Sequence, residues 1–548
     1  MRTIDAIARI LKQEGIEYLS AFPTTPVIEA AAVAGIRPII CRQERVGVGI
    51  GDGYARVTNG RPPGVFAMQY GPGAENAYAG VATSFSDAVP ILFLPLGHPR
   101  DREGVYPLFS SMKSFDSVTK YIEQINSPAR VVETMWRAFA ALKRGRPGPV
   151  MVEIPADVAV EEVDPAIVDG YQSPKPATMG GNAQDILEAA KVLLDAEHPV
   201  IHAGQGVLYA EATDELVELA ELIQAPVMTT MAGKSAFPEK HPLALGSGSG
   251  VMSRPVYHFM SRADVVFGIG TSLTKHGMVM NVPSGKTLIQ ATNDPIDLDK
   301  NYAVDYPILG DAKLVLRQFI EACQELLSTR QRGDRQVAAE IANVRDVWLG
   351  EWMPTLTSNQ APMTPYRVIW EFMQTINSDE AIVTHDSGSP RDQLMPFYQA
   401  GGPRTYLGWG KSHGLGTGLG LNIGAKLADP NKFVVNFMGD AAFGMTGLDF
   451  ETAARSGIPI LTVVLNNNTM AIETSAMAES HELYNTRDLG GNYADLGKAM
   501  GGWAERVTDP ADISAAFLRA KKVTEDGRAA LLEFMTNEEQ AFSHRRAF

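Results

Sequence analysis

Only two cysteines, Cys41 and Cys323, occur in the 548 residues, and neither sits in a metal-ligand spacing. A disulfide framework or a cysteine-ligated metal centre is therefore not expected, and a reducing, cytoplasmic setting is the simplest reading. Basic residues are also short: 48 Lys and Arg stand against 63 Asp and Glu, a net charge of −15. That balance argues against nucleic acid as a partner. No run of about 18 apolar residues exists, so no membrane span is expected. The first 22 residues set Ile4, Ile7, Ile10 and Leu11 among Asp5, Lys12 and Glu14. This reads as an amphipathic domain helix, whereas a signal peptide would carry an unbroken apolar core. The composition is that of a globular protein, 45% hydrophobic and 20% charged, and the length suggests about three domains.

Two joints stand out. The stretch 164–182 is rich in Pro, Gly, Ser and Ala after a strand at 149–154. The stretch 355–365 (TLTSNQAPMTP) ends with Thr364 as N-cap and Pro365 at the first helical position. They divide the chain into domains at 1–165, 185–330 and 360–540. The central segment carries strands at 199–202, 226–230, 264–269 and 287–290. Its Gly268-Ile269-Gly270 is a lone glycine pair and a weak nucleotide signal.

The most informative motif is Gly439-Asp440-Ala441, followed 27 residues after the aspartate by Asn467. FVVNFM at 433–438 reads as a buried strand, 448–455 as a helix and 458–465 as a second strand. A right-handed crossover makes the strands parallel and puts Asp440 and Asn467 at their carboxyl ends, where open α/β sheets bind ligands. One carboxylate, one amide oxygen and a main-chain carbonyl make a hard oxygen site suited to Mg²⁺ and phosphate. Gly-Asp and Asn-Asn are also common turn pairs, so spacing alone leaves both readings open.

The chain resembles the thiamine diphosphate enzymes of the acetolactate synthase-like superfamily nearly end to end. ERVGVGIGDGYAR at 44–56, YGPGAEN at 70–76, GRPGPVMVEIP at 145–155 and GLGTGLGLNIGAK at 414–426 fall in that family's order. The resemblance implies doubly wound α/β domains with mostly parallel sheets. It places the cofactor between the first domain of one subunit and the third of its partner, in a homodimer or a dimer of dimers. It further implies that Glu44 exchanges a proton with the cofactor pyrimidine, work suited to a carboxyl group in a dry site. Leu415 would wedge beneath the two rings, and the His413 carbonyl would accept the pyrimidine amino group. Asp440, Asn467 and the Thr469 carbonyl would hold Mg²⁺. Pro23, Gly388, Ser389, Gly439, Ala441, Ala442, Met470 and Ala471 would contact the cofactor. Ala441 and Ala442 replace the family's glycine and serine, leaving backbone N–H groups to cradle the diphosphate. Some relatives bind FAD or ADP in the central domain. The arginine expected for a flavin is replaced within Gly270-Thr271-Ser272-Leu273, so FAD is not expected, while ADP or another nucleotide stays open.

The resemblance puts the substrate pocket at Thr25, Gln69, Tyr106, Ile472 and Ala476. Three positions depart from acetolactate synthases: Thr24-Thr25 for a Gly-Gly pair, Tyr106-Pro107 for Phe-Gln, and Ala476 for a tryptophan. Glu473, just past the metal loop, would repel a 2-oxo acid anion in a low-dielectric pocket, yet could act on a hydroxyl proton of a thioester substrate. The basic, aromatic tail Ser543-His544-Arg545-Arg546-Ala547-Phe548 could meet the phosphates of coenzyme A. Both features resemble 2-hydroxyacyl-CoA lyases, and that activity is the expectation. The alternatives are a 2-oxo acid decarboxylase or carboligase of acetolactate type, and a non-catalytic cofactor-binding relative.

Overall fold

The computed structural model describes residues 1–329 and 336–548, so the domain boundary expected at residue 330 lies outside the described residues. Among the described residues eighteen strands form three sheets. The first holds β1 (Tyr18–Ala21), β2 (Arg37–Ile40), β3 (Gly64–Met68), β4 (Ile91–Gly97), β5 (Tyr121–Gln124) and β6 (Val150–Pro155), in the order 2-1-3-4-6-5. The second holds β7 (Pro199–Ala203), β8 (Val227–Thr230), β9 (Ala244–Gly248), β10 (Val265–Ile269), β11 (Thr287–Thr292) and β12 (Tyr306–Leu309), in the order 12-11-10-7-8-9. The third holds β13 (Ala381–His385), β14 (Tyr406–Leu407), β15 (Phe433–Gly439), β16 (Leu461–Asn466), β17 (Trp503–Val507) and β18 (Ala530–Met535), in the order 14-13-15-16-18-17. Every named pairing is parallel. The expected class, α/β domains on parallel sheets, is the observed one.

Parallel strands are covered on both faces, and their sequences show it. β4 (ILFLPLG) is buried at all seven positions, and β16 (LTVVLN) at all six. Glutamate is tolerated inside such a strand only with partners: Glu533 in β18 accepts from Asn466 Nδ2 (2.7 Å), the Ala494 N–H (2.9 Å) and Arg506 (2.9 Å). The sheet edges are ordered so that β1, β3 and β4 in the first sheet, and β13, β15 and β16 in the third, lie side by side. Their carboxyl ends carry the motifs.

Several local expectations change. The N-terminal helix covers only Thr3–Gln13; Gly15, at φ +80°, breaks it, and β1 follows. The single helix read at 448–455 is a 3₁₀ turn, Gly447–Asp449, continuing into a helix at Phe450–Ser456. It is preceded by a helix the sequence did not suggest, Asp440–Thr446. Thr364 caps the helix Pro365–Thr375 as expected, its Oγ1 accepting from Arg367 N at 2.9 Å. Strands β9 and β12 were not read from the sequence; β9 (ALGSG) lacks the β-branched residues that signal a strand.

Candidate active site

Asp440 opens the helix Asp440–Thr446 straight from the end of β15 and is buried. Its Oδ1 accepts the Ala441 N–H at 2.9 Å, while Oδ2 is buried and has no partner. Burial pushes its carboxyl pKa up to about 6, against the pull of the N–H groups of Ala441, Asn468 and Thr469. A buried oxygen with no donor is costly unless something cationic or protonated occupies it. Asn467 lies at the end of neighbouring β16, and its Oδ1 accepts the Thr469 N–H at 3.1 Å. The orphan carboxylate oxygen, the Asn467 amide oxygen and the nearby main-chain carbonyls form a hard-oxygen donor set that fits Mg²⁺. Among the described residues no three His, Cys, Asp or Glu side chains converge as metal ligands, so such a site relies on amide and main-chain oxygens.

Glu44 is the first residue of the helix Glu44–Val57, just beyond β2, and is buried. Burial raises its pKa, offset in part by its own backbone N–H and by the Asn76 side chain. No cation pairs with it among the described residues, so a carboxyl group with a raised pKa at a sheet edge could meet a ring nitrogen of a cofactor. Pro23 and Thr25 follow β1, and Gln69 follows β3, on the same edge; Thr25 is buried, Gln69 half-buried and Pro23 exposed.

His413 and Leu415 lie on the loop that leads into the helix Thr417–Ala428. Leu415 is half-buried against the core shared by the first and third domains. Gly416 adopts φ +90°, a left-handed conformation that suits glycine, and lets the chain turn into the helix Thr417–Ala428. Asp386, which the sequence did not single out, pins this loop: Oδ1 accepts from Gly416 N and Oδ2 from Gly418 N, both at 2.8 Å. It is fully buried, which pushes its pKa up to about 6. Gly388 and Ser389 lie two and three residues on, at the start of the helix Ser389–Leu394. Arg45 Nη2 donates to the Leu415 carbonyl.

Past β16 the chain forms a 3₁₀ turn, Ala471–Glu473. Ala471 is buried, Ile472 half-buried, and Met470, Glu473 and Ala476 exposed. Glu473 is exposed in the single chain, and its side chain has no partner among the described residues. Tyr106 is 94% exposed. The expected substrate residues are thus shared between two domains, and two of them face outward in the single chain. The C-terminal tail is docked on the central domain, where His544 and Phe548 stack on Tyr257 at 4.7 and 5.3 Å.

A cavity of about 690 Å³ lies away from Asp440 and Glu44. It opens at the carboxyl ends of the central strands and is lined by Gly204, Gly270, Thr271, Arg146 and Lys411. His202 also lines it, with both ring nitrogens unpartnered and a pKa lowered by burial to about 4.

One sheet edge thus presents a buried carboxyl group with a raised pKa, and another presents hard oxygens beside a helix start. Comparison with known proteins names the family. Residues 1–124 match the N-terminal TPP binding domain of thiamine pyrophosphate enzymes, 186–319 the central domain and 386–534 the C-terminal TPP binding domain. The chain belongs to this family and is a thiamine diphosphate-dependent enzyme. It is 31% identical over 499 residues to the probable acetolactate synthase large subunit of Methanocaldococcus jannaschii, covering 86% of this chain and 81% of that one. It is 29% identical over 578 residues to the sulfoacetaldehyde acetyltransferase of Rhodobacter capsulatus, covering 100% and 96%. Acetolactate synthase isozyme 3 large subunit of Escherichia coli is 29% identical over 487 residues, covering 84% and 82%. These relatives favour the acetolactate-type alternative over the 2-hydroxyacyl-CoA lyase expected from the sequence. Among the described residues no helix is long and apolar enough to cross a membrane.

Proposed function

We propose that the protein is a Mg²⁺- and thiamine diphosphate-dependent carboligase or acyltransferase that takes a two-carbon unit from a 2-oxo acid such as pyruvate. The observation that carries this is the match, along most of their length, to relatives named for acetolactate synthesis and for acetyl transfer.

When bound, thiamine diphosphate supplies a carbon nucleophile and an electron sink for the bond that is broken. The chain's own residues supply place and protonation. The Glu44 carboxyl, with its pKa raised by burial, holds the proton exchanged with the pyrimidine ring. Leu415 would sit against the cofactor rings, and the His413 carbonyl would be the acceptor for the amino group. Asp440, Asn467 and the Thr469 carbonyl would hold Mg²⁺, and the helix start at Ala441 and Ala442 would lie beside the diphosphate. Pairing of subunits would bring Glu44 of one chain to Asp440 of another. Large apolar side chains exposed near both halves support this: Tyr106, Leu448, Leu483 and Tyr484.

The test is CO₂ release from pyruvate by the holoenzyme, set beside formyl-CoA release from a 2-hydroxyacyl-CoA. CO₂ from pyruvate is expected, reduced about 10²- to 10⁴-fold in Glu44→Gln. Formyl-CoA release with no CO₂ would return the chain to the lyase reading.

A further inference from the structure

The loop carrying Asn467 and Thr469 is not held by its own turn alone. Arg487, buried, comes back to it: its carbonyl accepts Met470 N at 3.0 Å, and Thr469 and Asp488 form an isolated antiparallel bridge. Arg487 Nη1 donates to Thr469 Oγ1 (3.2 Å), Thr474 Oγ1 (2.9 Å) and Glu538 Oε1 (2.9 Å). Glu538 lies beyond the last strand, at the start of the C-terminal segment. Two residues on, Gln540 Nε2 donates to the Ala471 carbonyl at 3.0 Å.

The same segment is anchored at its far end. Ser543 is buried; its Oγ accepts from Trp348 Nε1 at 3.1 Å and donates to the Met252 carbonyl at 2.7 Å. Arg546 N donates to the Gly250 carbonyl at 2.7 Å. The segment is a strap with one end on the central domain and the other on the loop after β16. Its Glu538 carboxylate is tied to that loop by two donors, Arg487 Nη1 and Thr474 Oγ1, and the arginine is largely removed from water. Such bonds are stronger than neutral ones and far less screened than exposed pairs.

We propose that Glu538 and Arg487 are positioning residues that latch the C-terminal strap to the metal-binding loop and set the place of the Thr469 carbonyl. This rests on the reading that Asp440, Asn467 and Thr469 hold Mg²⁺ with the cofactor diphosphate. Neither residue touches the metal; both act through Thr469, Met470 and Thr474, as outer partners of metal ligands do.

The experiment is calorimetric titration of Mg²⁺ into full-length apoprotein with saturating thiamine diphosphate, alongside thermal melting of each apoprotein. Glu538→Gln is expected to raise the Mg²⁺ Kd about tenfold, with Glu538→Asp recovering part of the loss. Gln540→Ala, which leaves no charge unpaired, is expected to raise Kd about threefold, a smaller share of the same effect. In kinetics the defect of Glu538→Gln is expected to fade at high Mg²⁺. Wild-type affinity in Glu538→Gln overturns the latch, as does a loss that tracks apoprotein melting in every variant. Asp440→Asn separates the two readings. If it binds Mg²⁺ like wild type, the metal site itself is misplaced. If it loses binding while Glu538→Gln keeps it, only the latch is wrong.

Discussion

Asp386 shows how one residue can hold a site without touching a ligand. Its two carboxylate oxygens take three main-chain donors, from Ser387, Gly416 and Gly418, and so fix the turn that carries Leu415. Three N–H bonds favour the charged form, yet full burial outweighs them and pushes the pKa up to about 6. The sign of the linkage follows. The folded state binds this proton more tightly than the unfolded chain, whose aspartates titrate near about 3.9. The group therefore favours folding most below the unfolded value, and that contribution is lost as pH rises through the window from about 4 to about 6. Urea unfolding of the apoprotein at pH 4.5 and 7 is expected to show it. Wild-type stability minus that of Asp386→Asn should be smaller at pH 7 than at pH 4.5; an unchanged difference would mean that this carboxyl titrates normally. Nothing in the sequence marked Asp386, because Asp-Ser-Gly is an ordinary turn and its partners lie 30 residues on. The places of Asp440 and Asn467 were legible because each directly follows an apolar strand, whereas Glu44 was singled out only through the family resemblance.

Two glycine-rich stretches were legible only as signatures, and their physical meaning lies in how two helices meet. Glu44–Val57 and Thr417–Ala428 cross with backbones in contact: a Cβ on Gly424 would lie 2.0 Å from the Ile50 carbonyl oxygen, and one on Gly53 would lie 2.2 Å from that of Leu421. The obstructing atoms are main chain, which cannot rotate away. Gly424→Ala is thus expected to destabilise the protein by about 1–3 kcal/mol or to force the helices apart. The measurement is a thermal melt of the variant together with cofactor affinity, since the same contact places Glu44 relative to the Leu415 loop within one chain. A melt equal to wild type would show that the crossing is looser than this. The helix expected at 448–455 failed for the opposite reason. Eight residues of apolar periodicity cannot distinguish one helix from a 3₁₀ turn leading into another. Asp449 decides it in the fold, accepting the Arg42 N–H at 2.8 Å from the first domain, a contact more than 400 residues distant in the chain.

Within one chain, no group of the Asp440 loop is among those that bias the Glu44 carboxyl, whose neighbours are Asn76 and its own backbone. Each half looks complete in its local bonding yet lacks a counterpart. Asp440 keeps an oxygen with no partner among the described residues, and Tyr106 and Ala476, expected at the substrate pocket, face outward. Two copies related by a two-fold axis would satisfy both halves at once, because an isologous interface presents each surface to the other. This arrangement makes a quantitative demand. Glu44→Gln and Asp440→Asn should each be inactive alone. Mixed and allowed to exchange subunits, they form heterodimers in which one site carries both lesions and the other carries neither. Random pairing makes half the dimers mixed and leaves half their sites intact, so activity should recover to about a quarter of wild type. Sites confined to single chains would give no recovery at any mixing ratio, because every chain then carries a lesion in its only site.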